Sequence, residues 1–163
     1  MGEPWLARLG LAAPIDPVRS EFWLAKGFAS LDSDRPEEAQ AALRHSLALS
    51  PMNARAWYGY ALAAERFDWL NRTSSRALKM SYYTGFNQSD LVEGRLLLLA
   101  RADTRADPEL ELLLRRQVRS IILRAPALEP LLERTYFAAT EVNREIIASE
   151  MRQAGRTPPG QQR

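Results

Sequence analysis

A chain of 163 residues, 46% hydrophobic and 26% charged, has room for one domain with its own core and little room for two. A net charge of +2 is too small to imply a polyanionic partner, and the absence of cysteine excludes disulfides, thiolate metal sites and cysteine catalysis. The longest apolar run, Leu96 to Ala100, falls far short of the roughly 20 residues that span a bilayer.

In chain order, Trp5, Leu6 and Leu9 stand at helical spacing before Gly10 and Pro14. A short helix is expected within residues 1–15, with Trp5 covering the open end of the first helix–turn–helix unit. Asp16-Pro17 is a helix start, a cap followed by a proline whose missing N–H costs nothing in the first turn. That helix is expected to reach about Leu31. Gly27 inside it costs about 1 kcal/mol, so its expected purpose is close approach of the next helix. Asp32-Ser33-Asp34 turns the chain, Pro36 opens a second helix with Glu37 and Glu38 at its N-terminus, and Ala39, Leu43 and Leu47 form its apolar stripe up to Ser50-Pro51.

A second unit over residues 52–85 begins with Asn53 as cap and carries Trp57, Ala61 and Leu62. Its second helix is expected over roughly Trp69 to Tyr83, stopped by Gly85 in a left-handed conformation. Residues 86–124 hold a helix from Asp90 to Arg101, a second Asp-Pro start at Asp107-Pro108, and a helix to about Arg124 with Leu110, Leu113, Leu114, Val118, Ile121 and Ile122 apolar. Helices over Ala127–Ala138 and Glu141–Gln153, the latter capped by Thr140, are expected to cover the end of the array within residues 125–155. Residues 156–163 are polar and rich in Pro and Gly, and a disordered tail is expected. No strand pattern is present.

Trp23, Lys26, Gly27 and Ser30 fall where a tetratricopeptide repeat places W-x2-L-G-x2-Y, and Ala39, Leu43 and Pro51 follow at the offsets of its A-x3-F and closing P. Trp23 recurs 34 residues later as Trp57 and 34 later again as Leu91; Pro51 is echoed by Gly85. On these residues the chain resembles the tetratricopeptide repeat family, strongly over 16–51, fairly over 52–85 and weakly to about Arg124. In the second unit Thr73 stands for the small Ala and Ala77 for the large apolar residue, which implies looser or shifted packing. Gly94 sits one residue early, so the third unit is degenerate.

The resemblance implies an all-α fold of right-handed superhelical helix–turn–helix repeats with a C-terminal helical cap. It implies core packing for Trp23 and Trp57, and a concave groove faced by Leu24, Phe28, Tyr58, Leu62 and Arg95. Members of the family that bind chaperones hold a peptide carboxylate there with Lys and Asn; Leu24 and Phe28 occupy the matching places here, so that clamp is absent. A looser similarity links the Lys79–Gly85 run and the arginine-bearing apolar helices after it to small bacterial repeat proteins found with envelope and polysaccharide machinery.

Reactive chemistry has little foothold. His45 is the sole histidine, and Ala48 and Leu49 fill the positions where a metal partner would stand. Glu37/Glu38 and Asp32/Asp34 lie at a helix start and in a turn, where capping explains them. No nucleophile elbow, phosphate loop or metal-spaced cluster occurs, so no catalytic residue, metal or cofactor is nominated. Arg115, Arg116 and Arg119 decorate one helix opposite its Leu/Ile stripe, with Glu109 and Glu111 near enough to pair.

The expected function is therefore a non-enzymatic protein–protein interaction module, an adaptor or assembly factor for a protein or peptide partner. The alternative is a basic helical module that docks on nucleic acid or an anionic membrane surface through those three arginines. Twenty of the 22 cations are arginine, for which coding bias is the simplest account. A soluble, cytoplasmic chain is expected, or a periplasmic or envelope-associated one if an N-terminal segment has been removed. The sequence leaves partner identity and oligomeric state open.

Overall fold

The computed structural model describes residues 19–67 and 72–160. These form eight α-helices: α1 Ser20–Asp32, α2 Pro36–Leu49, α3 Ala54–Phe67, α4 Arg72–Gly85, α5 Val92–Arg101, α6 Pro108–Arg124, α7 Glu129–Ala138 and α8 Glu141–Gln153. Short 3-10 turns, Ser89–Leu91 and Pro126–Leu128, lead into α5 and α7. No strand occurs among the described residues, and no helix among them is long and apolar enough to cross a membrane. The expected N-terminal helix with Trp5, and the Asp16-Pro17 start, lie outside the described residues.

Side chains close the helix ends where the sequence leads one to expect them. Asn53 Oδ1 accepts from the Arg55 and Ala56 N–H groups, each at 3.1 Å, at the start of α3. Asp107 accepts from Glu109 N at α6, and Thr140 from Asn143 N at α8. At the other end of α5 the closure comes from a distant part of the chain. Asn143 is buried, and its amide nitrogen reaches the carbonyl oxygens of Leu99, Ala100 and Ala102 within 3.0 Å, while its oxygen accepts from Thr104 Oγ1.

Helices α1 and α2 pair as one hairpin, α3 and α4 as another, and α2 packs on α3. Gly27 explains how the first hairpin closes: a Cβ there would lie 2.5 Å from Leu43 Cγ, and Leu43 is fully buried on α2. Gly59 plays the same part between hairpins, with the Phe28 ring tip and Leu43 methyls against it.

The second hairpin repeats the first, one residue out of the expected register. Ala39, Ala42, Leu43, Ser46 and Leu47 are the buried residues of α2, and Ser74, Ala77, Leu78, Ser81 and Tyr82 those of α4. Every pair is separated by 35 positions, whereas the first helices repeat at 34. Three residues separate α1 from α2 and four separate α3 from α4, which accounts for the slip. Ser74 and Leu78, not Thr73 and Ala77, therefore stand at the small and large apolar positions; of the looser or shifted packing expected, the helix shows the shift. Even the side-chain ties correspond: Ser46 Oγ donates to Ser20 O at 3.0 Å, and Ser81 Oγ to Ala54 O at 2.8 Å.

Two further expectations are revised. Gly85 is not left-handed, because α4 continues through it; its missing side chain admits Ala54, whose Cβ lies 2.8 Å from where a glycine Cβ would be. The tail turns back at Gly155, which is left-handed (φ 71°), and Pro158 and Pro159 are buried, so residues 156–160 belong to the fold. Residues 161–163 lie outside the described residues.

The core divides in two. Leu31, Ala39 and Leu43 of the first hairpin cluster with Ala63 of α3. A larger cluster runs from Ala61, Ala77 and Leu78 through Leu96 and Leu99 to Leu114, Val118, Ile121, Leu131, Leu132, Ile146 and Ile147, so α5–α8 share one interior with α4. Tyr60 and Leu62 pack against both.

The 35-residue register is directly testable. Leu78→Ala is expected to cost about 2–5 kcal/mol, as removal of a buried Leu does, and Gly27→Leu about 1–3 kcal/mol by overpacking. Urea melts should show both losses, while Thr73→Ala, at an exposed position, should leave the midpoint within error.

Candidate functional site

The five residues expected in the groove do not form one exposed surface. Leu24 and Phe28 on α1 are partly buried against the first-hairpin core, with Phe28 wedged over Gly59 of α3. Leu62 is partly buried between both cores. Tyr58 leans from α3 onto α5, its hydroxyl lying 1.9 Å from where a Cβ on Gly94 would be. Gly94 is thus a seat for Tyr58. Burial raises the Tyr58 hydroxyl pKa above its ordinary value, and the nearby Glu65 carboxylate adds to the effect.

Arg95 departs furthest from expectation. Its exposure is 0%, so it is not an edge cation awaiting a partner carboxylate. Nε donates to Ser81 Oγ at 2.8 Å, and the terminal nitrogens donate to Ser81 O at 2.7 Å and Gly85 O at 2.8 Å. The guanidinium also stacks on Tyr82, 5.1 Å from the ring centroid. It caps the last turn of α4, where carbonyls carry partial negative charge. Tyr82 is itself buried with its hydroxyl lacking a hydrogen-bond partner, and burial pushes that hydroxyl's pKa strongly upward.

The basic face is likewise taken apart. Glu150 on α8 is buried at 3% exposure and receives both Arg115 (3.1 Å) and Arg119 (2.8 Å). Arg115 also holds Glu111, one turn back on α6. Arg116 points elsewhere, 3.9 Å above the Phe86 ring. Two arginines therefore bind α6 to α8 and the third stacks on an aromatic ring. Glu109, expected to pair with this group, joins Asp107 in holding Lys79 of α4, at 2.7 and 2.8 Å, and accepts from the Tyr83 hydroxyl.

Trp23 and Trp57 are only partly buried. Trp23 stacks on exposed His45 across the first hairpin at 4.6 Å, and Trp57 Nε1 donates to Pro51 O at 2.7 Å. No group of three or more His, Asp or Glu among the described residues is placed to hold a metal ion. Comparison of the chain with protein-family models, curated proteins and solved structures gives no match. A narrow crevice between α3, α4 and the end of α5, lined by Glu65, Ser74, Leu78 and Asp103, is about 10 Å³, room for little more than one water.

Sequence reasoning missed Glu150 and Asn143 because each acts on residues over 30 positions away, with no local pattern to mark it. Arg95 had a signal: it stands one repeat after Ala61, a small-residue position of the hairpin, where a large cation has to find buried acceptors.

Arg95→Ala leaves the α4 carbonyls and a large cavity behind, and is expected to cost about 3–5 kcal/mol in a urea melt; a groove-edge cation would cost almost nothing. For Glu109, the Lys79 ammonium and the Tyr83 hydroxyl hold the carboxyl below the ordinary range. A depressed folded-state value stabilises the fold above the unfolded pKa of about 4.3 and fades as acid titrates the group. Glu109→Gln should thus melt lower than the parent at pH 7, by under about 1 kcal/mol for this exposed group, and equally at pH 2.

Proposed function

We propose that the chain is a non-enzymatic protein-interaction module, an adaptor or assembly factor, whose first two hairpins are tetratricopeptide-like and whose C-terminal helices cap them. The observation that carries this reading is the matched burial of α2 and α4, five positions repeated at one constant offset of 35 residues. A fold that repeats a hairpin presents the same side of each first helix in succession, which suits it to holding an extended or helical segment. The partner side in this proposal is that of α1 and α3, where Leu24, Phe28, Tyr58 and Leu62 are each partly exposed. Arg95 is withdrawn from it, so the partner is held by apolar anchors.

The pairing of Arg115 and Arg119 with Glu150 weighs against docking on nucleic acid or an anionic membrane, since counterion release needs cations free to meet phosphates. A bacterial envelope or polysaccharide assembly is the setting that the sequence resemblance suggests for the partner.

Photo-crosslinking tests the assignment. A benzophenone side chain at Leu24 should yield a partner adduct in the native cell, and one at Arg76, exposed on α4, should not. Adducts from Arg76 or Arg119 with none from Leu24 would place the partner on another face and refute this one.

A further inference from the structure

The C-terminal segment rests in a groove that it does not fill. Helix α8 closes with Gly155 N donating to Arg152 O at 3.0 Å and Arg156 N to Met151 O at 2.8 Å, and the left-handed Gly155 sends the chain back along the bundle. Pro158 and Pro159 are then buried. Arg156 meets Glu129 at the start of α7, 2.9 Å between nitrogen and Oε1. Beside the segment remains a cavity of about 600 Å³, walled by Ile122, Leu132 and Met151 from three helices and by Pro159 from the tail. That volume lies in the range of ligand-sized sites.

We propose that this groove, formed by the end of α6, the start of α7 and the end of α8, docks an Arg-x-Pro-Pro segment of a partner protein, and that the chain's own Arg156–Pro159 is its intramolecular occupant. The resident tail defines the chemistry of the occupant. Prolines have a fixed φ and hold the preceding residue extended, so such a segment loses little conformational entropy on docking and lays apolar rings against aliphatic walls. The groove offers an arginine two carboxylates, of which the resident Arg156 meets one, Glu129. Glu133, one turn beyond Glu129, lines the same cavity and has no basic partner among the described residues. Oε1 of Glu129 is enclosed and, despite its 2.9 Å approach to Arg156, lacks an aligned hydrogen bond. A segment with a longer reach than this tail fills the remaining space and meets both carboxylates. The site is built from α6–α8 and uses none of the first-helix residues, so it stands or falls apart from the function proposed above.

A tethered occupant competes at an effective concentration on the order of millimolar. The probe is a fluorescent peptide of the chain's own last nine residues, Gly155 to Arg163, titrated by anisotropy against full-length protein. Pro158→Gly with Pro159→Gly vacates the groove, and Arg156→Glu does so independently by reversing the charge facing Glu129. Each variant, checked for parental helicity by circular dichroism, should bind the peptide about tenfold more tightly than the parent. Adding Glu129→Gln and Glu133→Gln should reduce that binding severalfold. Retained helicity with no binding by either vacated variant up to about 1 mM peptide, the concentration the tether itself supplies, would overturn the proposal. Equal binding by parent and variants would also overturn it. So would a parental dimer that free peptide dissociates, which would mean that tails exchange between copies.

Discussion

Arg95 brings a full positive charge into the interior, and the end of a helix receives it in place of the usual carboxylate. Burial drives its pKa down from the ordinary arginine value, and the nearby Tyr82 and Asp90 oppose that drift. What keeps the charge tolerable is direct donation to two carbonyls of the last turn of α4, where the backbone dipoles are concentrated. Ser81 adds a second link, since its hydroxyl accepts from Arg95 and donates to Ala54 O at the start of α3. One guanidinium and one hydroxyl thereby link three helices, α3, α4 and α5.

The sequence displays the hairpins because their pattern is local. Caps at Asn53, Asp107 and Thr140, and the close approach at Gly27, depend on residues within one hairpin and are legible from spacing alone. The register of α4 is not, because a single added residue between α3 and α4 moves Leu78 into the place that strict periodicity gives to Ala77. Facing is harder still. Tyr58 and Phe28 would look outward on isolated helices, and only the glycines of neighbouring helices, Gly94 and Gly59, turn them into packing residues. Residues at such seams serve two roles at once, which linear spacing cannot separate.

The arginine-rich composition has a structural use whatever its origin. Arg66 donates to Leu31 O and pairs with Asp34 across the first two hairpins. Arg55 reaches Asp90, Arg101 reaches Glu65, and Arg134 reaches Glu93. Arg144 caps α7 by donating to Tyr136 O and Ala139 O. A planar fork that can hold two acceptors suits these positions better than an ammonium. Most of these pairs are exposed and individually weak; Glu150 is the exception, buried and bound at each carboxylate oxygen by an arginine of α6.

The closure of α5 by Asn143 has a consequence for how the chain is made. At the end of α5, Leu99 O accepts from nearby Ala102 N as well as from Asn143, whereas Ala100 O takes both its donors, Thr140 N and Asn143 Nδ2, from 40 or more residues further along, so it stays open to water until α8 arrives. The first hairpin closes over a three-residue connection and can form as it leaves the ribosome, whereas α4 shares its interior with α5 to α8 and condenses with them. Synthesis therefore passes through a stage in which a closed first hairpin carries an unfinished, apolar remainder, and the burial of Asn143 marks its end.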